Sequence, residues 1–193
     1  MKIILVRHGE SEKNVNITNN KDSPLTARGK KQVEHLANRL KEYDISEIYS
    51  SNLVRAKQTA EIISKKIKIP IKEHFQELNE YEIKELKSRS FHLFNIRLKK
   101  LKKLLKIILK DKNKDKNIII VAHGTANKII LGHLLNLKPS KRLVKLSQDN
   151  ACINLISWNE QYRNWSAWSI NDVEHLPITL RNQDKINSLN LKK

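Results

Sequence analysis

Two runs of aliphatic residues dominate the pattern of apolar and polar positions. Ile3-Ile4-Leu5-Val6 and Ile118-Ile119-Ile120-Val121 are apolar at every position. Neither alternates as a strand with one wet face would, so both predict strands buried on two sides, over Lys2–Val6 and Asn117–Ala122. Between and after them the period becomes helical. Val33, Leu36, Ala37 and Leu40 predict a helix over 27–43 with Thr26 as its N-cap. Ala56, Ala60, Ile63 and Ile67 predict a second from Leu53 to about Lys66, with Ser51-Asn52 as its caps. Leu93, Ile96, Leu101, Leu104, Leu105 and Ile108 predict a third over 91–110, and a fourth spans 125–137, ending near Pro139. Glu47–Ser50 and Ile69-Pro70-Ile71 add short strands, and 151–158 with 165–170 form a hairpin at one sheet edge. Strand and helix alternate, which is the signature of an α/β fold.

The remaining stretches are polar. Asn14–Ser23 is a loop, and Asp111–Lys116 is a charged turn. Phe75–Arg89 has no period and carries Glu77, Glu80, Glu82 and Glu85. It lies between a strand and a helix, where active-site loops occur. No internal repeat divides the chain, so 1–176 is expected to be one domain, followed by a polar basic tail over 177–193. The lysine-rich helix over 91–110 suits a membrane surface, but such a helix more commonly faces a core.

Charge widens the choice of partners before motifs narrow it. Among 193 residues, 38 Lys and Arg oppose 20 Asp and Glu, a net charge of +18. That balance fits nucleic acid, an anionic membrane or a small anionic substrate. The lysines are dispersed and form no stripe interleaved with aromatics, so no specific nucleic acid is expected and a small anionic substrate is preferred. No apolar segment is long enough to span a bilayer. Arg7 and His8 interrupt the first apolar run too early for a signal peptide. The one cysteine, Cys152, lies in an apolar run as a structural thiol and fits a reducing, cytoplasmic setting. Nothing here sets an oligomeric state.

Both buried-strand patterns end in the same device. Arg7-His8-Gly9 closes the first and His123-Gly124 the second, using two of only four glycines in the chain. Such strand ends are where α/β sheets bind ligands. Two histidines with Glu80 could form a metal site, but no metal-ligand spacing supports one, and neighbouring arginines oppose a cation. Neither metal nor cofactor is expected. Phosphoryl transfer suits the residues better. A phosphomonoester carries about two negative charges and needs several fixed donors. Arg7, Arg55 and His123 supply them, His8 can attack phosphorus, and the acidic loop offers a carboxylic acid to protonate the leaving alkoxide.

These residues resemble the histidine phosphatase (phosphoglycerate mutase-like) superfamily. Arg7-His8-Gly9-Glu10-Ser11 with Asn14 is similar to its first signature, and Pro24-Leu25-Thr26-Ala27-Arg28-Gly29 to the entry into its first long helix. The stretch from Ser50 to Ala60, centred on Arg55, resembles its second arginine motif. Val121-Ala122-His123-Gly124 resembles its second histidine motif, and Asn171-Asp172 with His175-Leu176 a C-terminal pattern of its phosphatase branch. The resemblance implies a three-layer fold with a mostly parallel central sheet flanked by helices. It also implies a metal-independent phosphatase acting on a small phosphorylated substrate. His8 is the implied nucleophile, Arg7, Arg55 and His123 the phosphate pocket, and Asn14 a further substrate-binding residue. Leu78-Asn79-Glu80 best matches the proton-donor segment, favouring Glu80 over Glu77 and Glu82. The glycines expected after it are replaced by Lys84 and Ser88, and an aromatic by Leu86; Lys128 stands where many relatives have arginine. Loop shape and substrate preference are therefore not carried over. Phosphoglycerate mutase-type transfer is the alternative reaction, although nothing resembles the insertion of the longer mutases. A basic nucleic-acid-binding or catalytically weakened module is the alternative of another class.

Overall fold

A computed structural model describes residues 1–81, 91–110, 116–137 and 145–182. Six strands form one sheet: β1 (Lys2–Arg7), β2 (Ile45–Ser51), β3 (Ile71–Phe75), β4 (Asn117–Ala122), β5 (Ile153–Asn159) and β6 (Asn164–Asp172). Four helices accompany them: α1 (Ala27–Leu40), α2 (Val54–Ile67), α3 (Phe91–Ile108) and α4 (Gly124–Leu134). The spatial order is β3-β2-β4-β1-β5-β6. The first four strands run parallel, and β5 pairs antiparallel with both β1 and β6. Among the described residues no helix is long and apolar enough to cross a membrane.

The unbroken apolar runs are explained by two cores. Ile3, Leu5, Ile118 and Ile120 face one side of the sheet, under α3 and α4. Ile4, Val6, Ile119 and Val121 face the other, under α1 and α2. Successive side chains point to opposite faces of a strand, so a strand covered on both sides has no position left for a charge.

Local differences from the sequence expectations have physical causes. Ile69 and Pro70 lie before β3, which begins at Ile71; proline has no N–H to give a ladder and stands here just ahead of the edge strand. Leu93 and Ile96 are exposed, while Phe94 and Leu98 continue the buried face of Leu101, Leu104, Leu105 and Ile108. At 3.6 residues per turn Ile96 lies well round the helix from that face, whereas Leu93 lies at its margin, in line with Leu104. Thr26 does cap α1, its hydroxyl accepting the Gly29 N–H at 2.9 Å. The start of α2 is different: Leu53 is its N-cap without a side-chain bond. The Val54 N–H instead donates to Asp22 Oδ1 at 2.6 Å, from the loop after β1. Cys152 is fully buried, and burial pushes its thiol up to about 12.

One packing contact fixes the loop that follows β1. The Thr26 N–H donates to the Glu10 carbonyl at 3.0 Å. Glu10 accepts from the Thr26 hydroxyl at 2.8 Å and from Arg28 at 2.5 Å. A Cβ on Gly29 would lie 1.9 Å from the Glu10 carbonyl oxygen. Gly29→Ala must therefore push helix and loop apart. The expected loss is about 3 kcal/mol, the upper end of the overpacking range, read as a lowered urea midpoint.

Candidate active site

Register brings the two histidines together. Arg7 pairs with Ala122 between β1 and β4, so His8 and His123 each stand one residue past paired positions, at the same sheet edge. Their ring centroids are 5.0 Å apart. β2 ends beside them at Ser51, since Ser50 pairs with Val121. Arg55 reaches the same point from the first turn of α2.

His8 is almost fully buried, with 1% of its surface exposed. Its Nδ1 lies 2.6 Å from the Gly9 carbonyl oxygen, an acceptor only, so Nδ1 carries the proton. The opposite nitrogen, Nε2, accepts the Arg55 Nε–H at 3.1 Å. The ring therefore has its lone pair on Nε2, aimed among cations. Burial first, then His123, Arg7 and Arg55, hold its pKa well below the usual 6.5. His8 is a neutral imidazole at pH 7.

His123 is the N-cap of α4 and fully buried. Burial, then Arg55, Arg7 and Lys13, also hold its pKa well below 6.5. Its Nε2 lies 2.8 Å from Ser51 Oγ. Its Nδ1 is buried without a hydrogen-bond partner, and so is Arg7 Nε. Arg7 Nε has a hydrogen to give an anionic guest, and His123 Nδ1 can bond the same guest through a shared proton.

The arginines are held by carbonyl groups. Arg7 donates to the Gln148 carbonyl at 2.5 Å, and Arg55 to the Lys21 carbonyl at 2.7 Å. Burial lowers the Arg55 pKa, opposed by the charges of Glu80 and Asp22. Asn14 lies with Arg7, Glu10, Arg28 and Asn150 along a cavity of about 580 Å³. Its Oδ1 already accepts the Ser11 N–H and hydroxyl and the Asn150 amide at 3.0, 3.0 and 3.1 Å. Its amide N–H groups are what it can offer a ligand.

Glu80 is positioned by α4. Oε1 accepts backbone N–H groups of Thr125, Ala126 and Tyr81 at 2.9, 3.3 and 3.1 Å. A helix N-terminus favours a carboxylate in this way. Among the described residues, the bonds to this carboxylate fall on Oε1. Glu77 lines a separate cavity with Gln76, Asn79, Arg97 and Lys100. Glu82, Lys84, Glu85, Leu86 and Ser88 lie outside the described residues. Among the described residues no cluster of three or more His, Cys, Asp or Glu side chains could hold a metal ion.

The supporting residues were not legible as such. Thr59 accepts the Gly9 N–H at 3.2 Å, and Gln32 accepts the Glu10 N–H at 2.8 Å. Asn150 donates to the His8 carbonyl at 3.3 Å, and the Ala151 N–H donates to the same oxygen at 3.1 Å. Gln148 and Asn154 exchange side-chain hydrogen bonds at 2.7 and 3.0 Å. The available signal was Gln148-Asp149-Asn150, three polar residues directly before an apolar run. His175 is held near pKa 4, chiefly by burial, and donates through Nε2 to the Ala151 carbonyl at 3.1 Å. The C-terminal pattern thus braces the turn that holds His8.

Known proteins resemble this chain in sequence and in fold. The profile of the histidine phosphatase superfamily (branch 1) matches residues 3–100 and 90–171. A curated protein of Proteus mirabilis named "Probable phosphoglycerate mutase GpmB" is 50% identical over 66 residues, 33% of this chain. That match takes in only 31% of the relative's length. A mutant phosphoserine phosphatase from Entamoeba histolytica, solved in complex with phosphoserine, superposes with a TM-score of 0.71 at 26% identity. That superposition covers 91% of this chain and 99% of the other. The alpha-ribazole phosphatase from Shigella flexneri shares the fold, with a TM-score of 0.72, 21% identity and coverage of 90% and 98%.

Proposed function

The chain belongs to the histidine phosphatase superfamily (branch 1), and on that premise we propose that it hydrolyses small phosphomonoesters through a phosphohistidine on His8. The observation that carries this reading is the His8 ring itself. It is neutral, its Nδ1 proton is committed to the Gly9 carbonyl, and its Nε2 lone pair is turned toward Arg55 beside His123.

The reaction follows from those positions. Phosphate oxygens draw Arg55 away from His8 Nε2, and Arg7, Arg55, His123 and the Asn14 amide hold them. The Nε2 lone pair then attacks phosphorus as the bond to the leaving oxygen breaks, and Glu80 gives that oxygen a proton. The ring becomes cationic, with its Nδ1–H still on the Gly9 carbonyl. Water next attacks phosphorus while Glu80 takes its proton, the P–N bond breaks, and neutral His8 returns with free phosphate. Positioning and charge stabilisation do most of this work in phosphoryl transfer. Two guanidinium groups meet the phosphoryl charge, so turnover is expected to survive a chelator.

Phosphoserine and 3-phosphoglycerate lead the substrate panel. The Entamoeba enzyme is described in complex with each. Mutase-type transfer is the second reading, favoured by the name of the Proteus relative. Phosphate release and 3-phosphoglycerate isomerisation, followed in parallel on one preparation, separate the two. A chain that neither releases phosphate nor isomerises would be a binding module instead.

Arg55 supplies a quantitative check. Lysine keeps the charge but loses the planar fork that grips two phosphoryl oxygens. Arg55→Lys is expected to lose one charge-assisted hydrogen bond, about 1.5–3 kcal/mol, or roughly ten- to a hundredfold in kcat/KM. Unchanged kcat/KM would remove Arg55 from the pocket.

A further inference from the structure

Ser51 joins His123, which the reaction above uses, to Asn79, which it does not. Its hydroxyl lies 2.7 Å from Asn79 Oδ1 and 2.8 Å from His123 Nε2. It also accepts the Leu53 N–H at 3.2 Å. A hydroxyl has one proton to give. With that proton on the Asn79 oxygen, Ser51 meets His123 as an acceptor, so His123 Nε2 bears the ring proton. A neutral imidazole has only one N–H, and the lone pair is then on Nδ1, the buried atom without a partner. His8 holds the opposite tautomer, protonated on Nδ1.

The two tautomers have different uses. A lone pair on His8 Nε2 is a nucleophile. A lone pair on His123 Nδ1 repels the oxygen of a dianionic phosphoryl group, which offers only lone pairs of its own. One proton between them turns repulsion into a hydrogen bond. We infer that Ser51 and Asn79 are positioning residues that hold His123 in the Nε2–H tautomer. A phosphomonoester therefore binds together with one proton, shared between its oxygen and His123 Nδ1. This rests on the phosphate-site reading and adds to it a preference for the monoanionic substrate.

The surrounding charges bear on where that proton comes from. Arg7 and His8 face His123 from the end of β1, Lys13 from the loop beyond it, and Arg55 from α2. Asp22 and Glu80 act on Arg55, and Glu80 also bonds the first turn of α4. Burial first, and then these cations, keep His123 neutral until an anion offsets the charges. Glu80 is the other group able to bring a proton, so the test is made with Glu80→Gln.

The probe is benzylphosphonate, a non-hydrolysable stand-in whose second ionisation removes its last P–OH. Its affinity for Glu80→Gln, measured by calorimetry, is expected to fall about tenfold per pH unit above that ionisation, because one proton enters with it. Adding Asn79→Leu frees the Ser51 proton to turn toward His123 Nε2 and moves the ring proton to Nδ1. The affinity should then change little with pH. Asn79→Asp keeps an acceptor for Ser51 and should restore the slope. Nitrogen-15 shifts of the His123 ring read the tautomer directly, Nε2–H in the parent and Nδ1–H with Asn79→Leu. Ser51→Ala should likewise release the tautomer, with little change in volume. A flat profile in the parent, or a slope unchanged by both Asn79→Leu and Ser51→Ala, would overturn the inference and leave the hydrolytic reading standing. No binding of the phosphonate at any pH would overturn the phosphate site, and the inference with it.

Discussion

His8→Ala is expected to abolish both turnover and the phosphoenzyme. Brief mixing of the parent enzyme with labelled substrate should leave label that is lost in acid and kept in base, as a phosphoramidate requires. The variant should leave none. Removing the nucleophile of a covalent hydrolase lowers kcat on the order of a millionfold, and the residual rate comes from binding and electrostatics alone. The loss should be of that scale here, because among the described residues no second nucleophile stands in the place of His8. His123 Nδ1 has a lone pair, but the ring lies at the N-terminus of α4 with Nε2 bonded to Ser51. Folding needs its own control, since the substitution also deprives the buried Arg55 Nε of its acceptor. A urea transition close to that of the parent makes the loss a chemical one. Label that resists acid, or that persists in His8→Ala, would refute the phosphohistidine.

The parts of the site carried by buried strands were legible in the sequence, and the parts assembled by tertiary contact were not. A strand covered on both faces shows itself as an unbroken apolar run. The first polar residues after it must lie at the sheet edge, which made His8 and His123 visible. Arg55 was visible because it follows β2 within the first turn of a helix. Glu80 had no comparable signal: Glu77, Glu80 and Glu82 share one aperiodic loop. Glu80 is distinguished by the N–H groups of Thr125 and Ala126, some 45 residues away in sequence. Asp22 was hidden for the same reason, since it caps α2 from a loop 32 residues upstream. Gly9 was legible as the residue that closes a strand, but what it packs against was not. No glycine among the described residues has a positive φ. Gly9 and Gly29 are required because the loop after β1 and helix α1 touch with no room for a Cβ.

Glu80→Gln is expected to slow transfer from alkyl phosphates to His8 by about two to four orders of magnitude, the usual range for a general acid. The substitution is unusually clean in this site. Oε1 of Glu80 accepts three backbone N–H groups, and the amide oxygen of glutamine can accept the same three. The side chain stays in position and loses the ability to release a proton, together with the charge that acts on Arg55. An alkyl alcohol leaves poorly as an alkoxide, whereas p-nitrophenolate leaves well unprotonated. Transfer from p-nitrophenyl phosphate should therefore suffer far less. Single-turnover rates are needed, because slow hydrolysis of the phosphohistidine would mask the difference at steady state. Glu77→Gln, in its separate cavity, should leave both substrates unaffected, and Glu82→Gln serves as a second control. Equal slowing of the two substrates in Glu80→Gln would give the residue an electrostatic role instead. Leaving-group dependence in Glu82→Gln would move the proton donor two residues along the loop while leaving the nucleophile and its phosphate pocket unchanged.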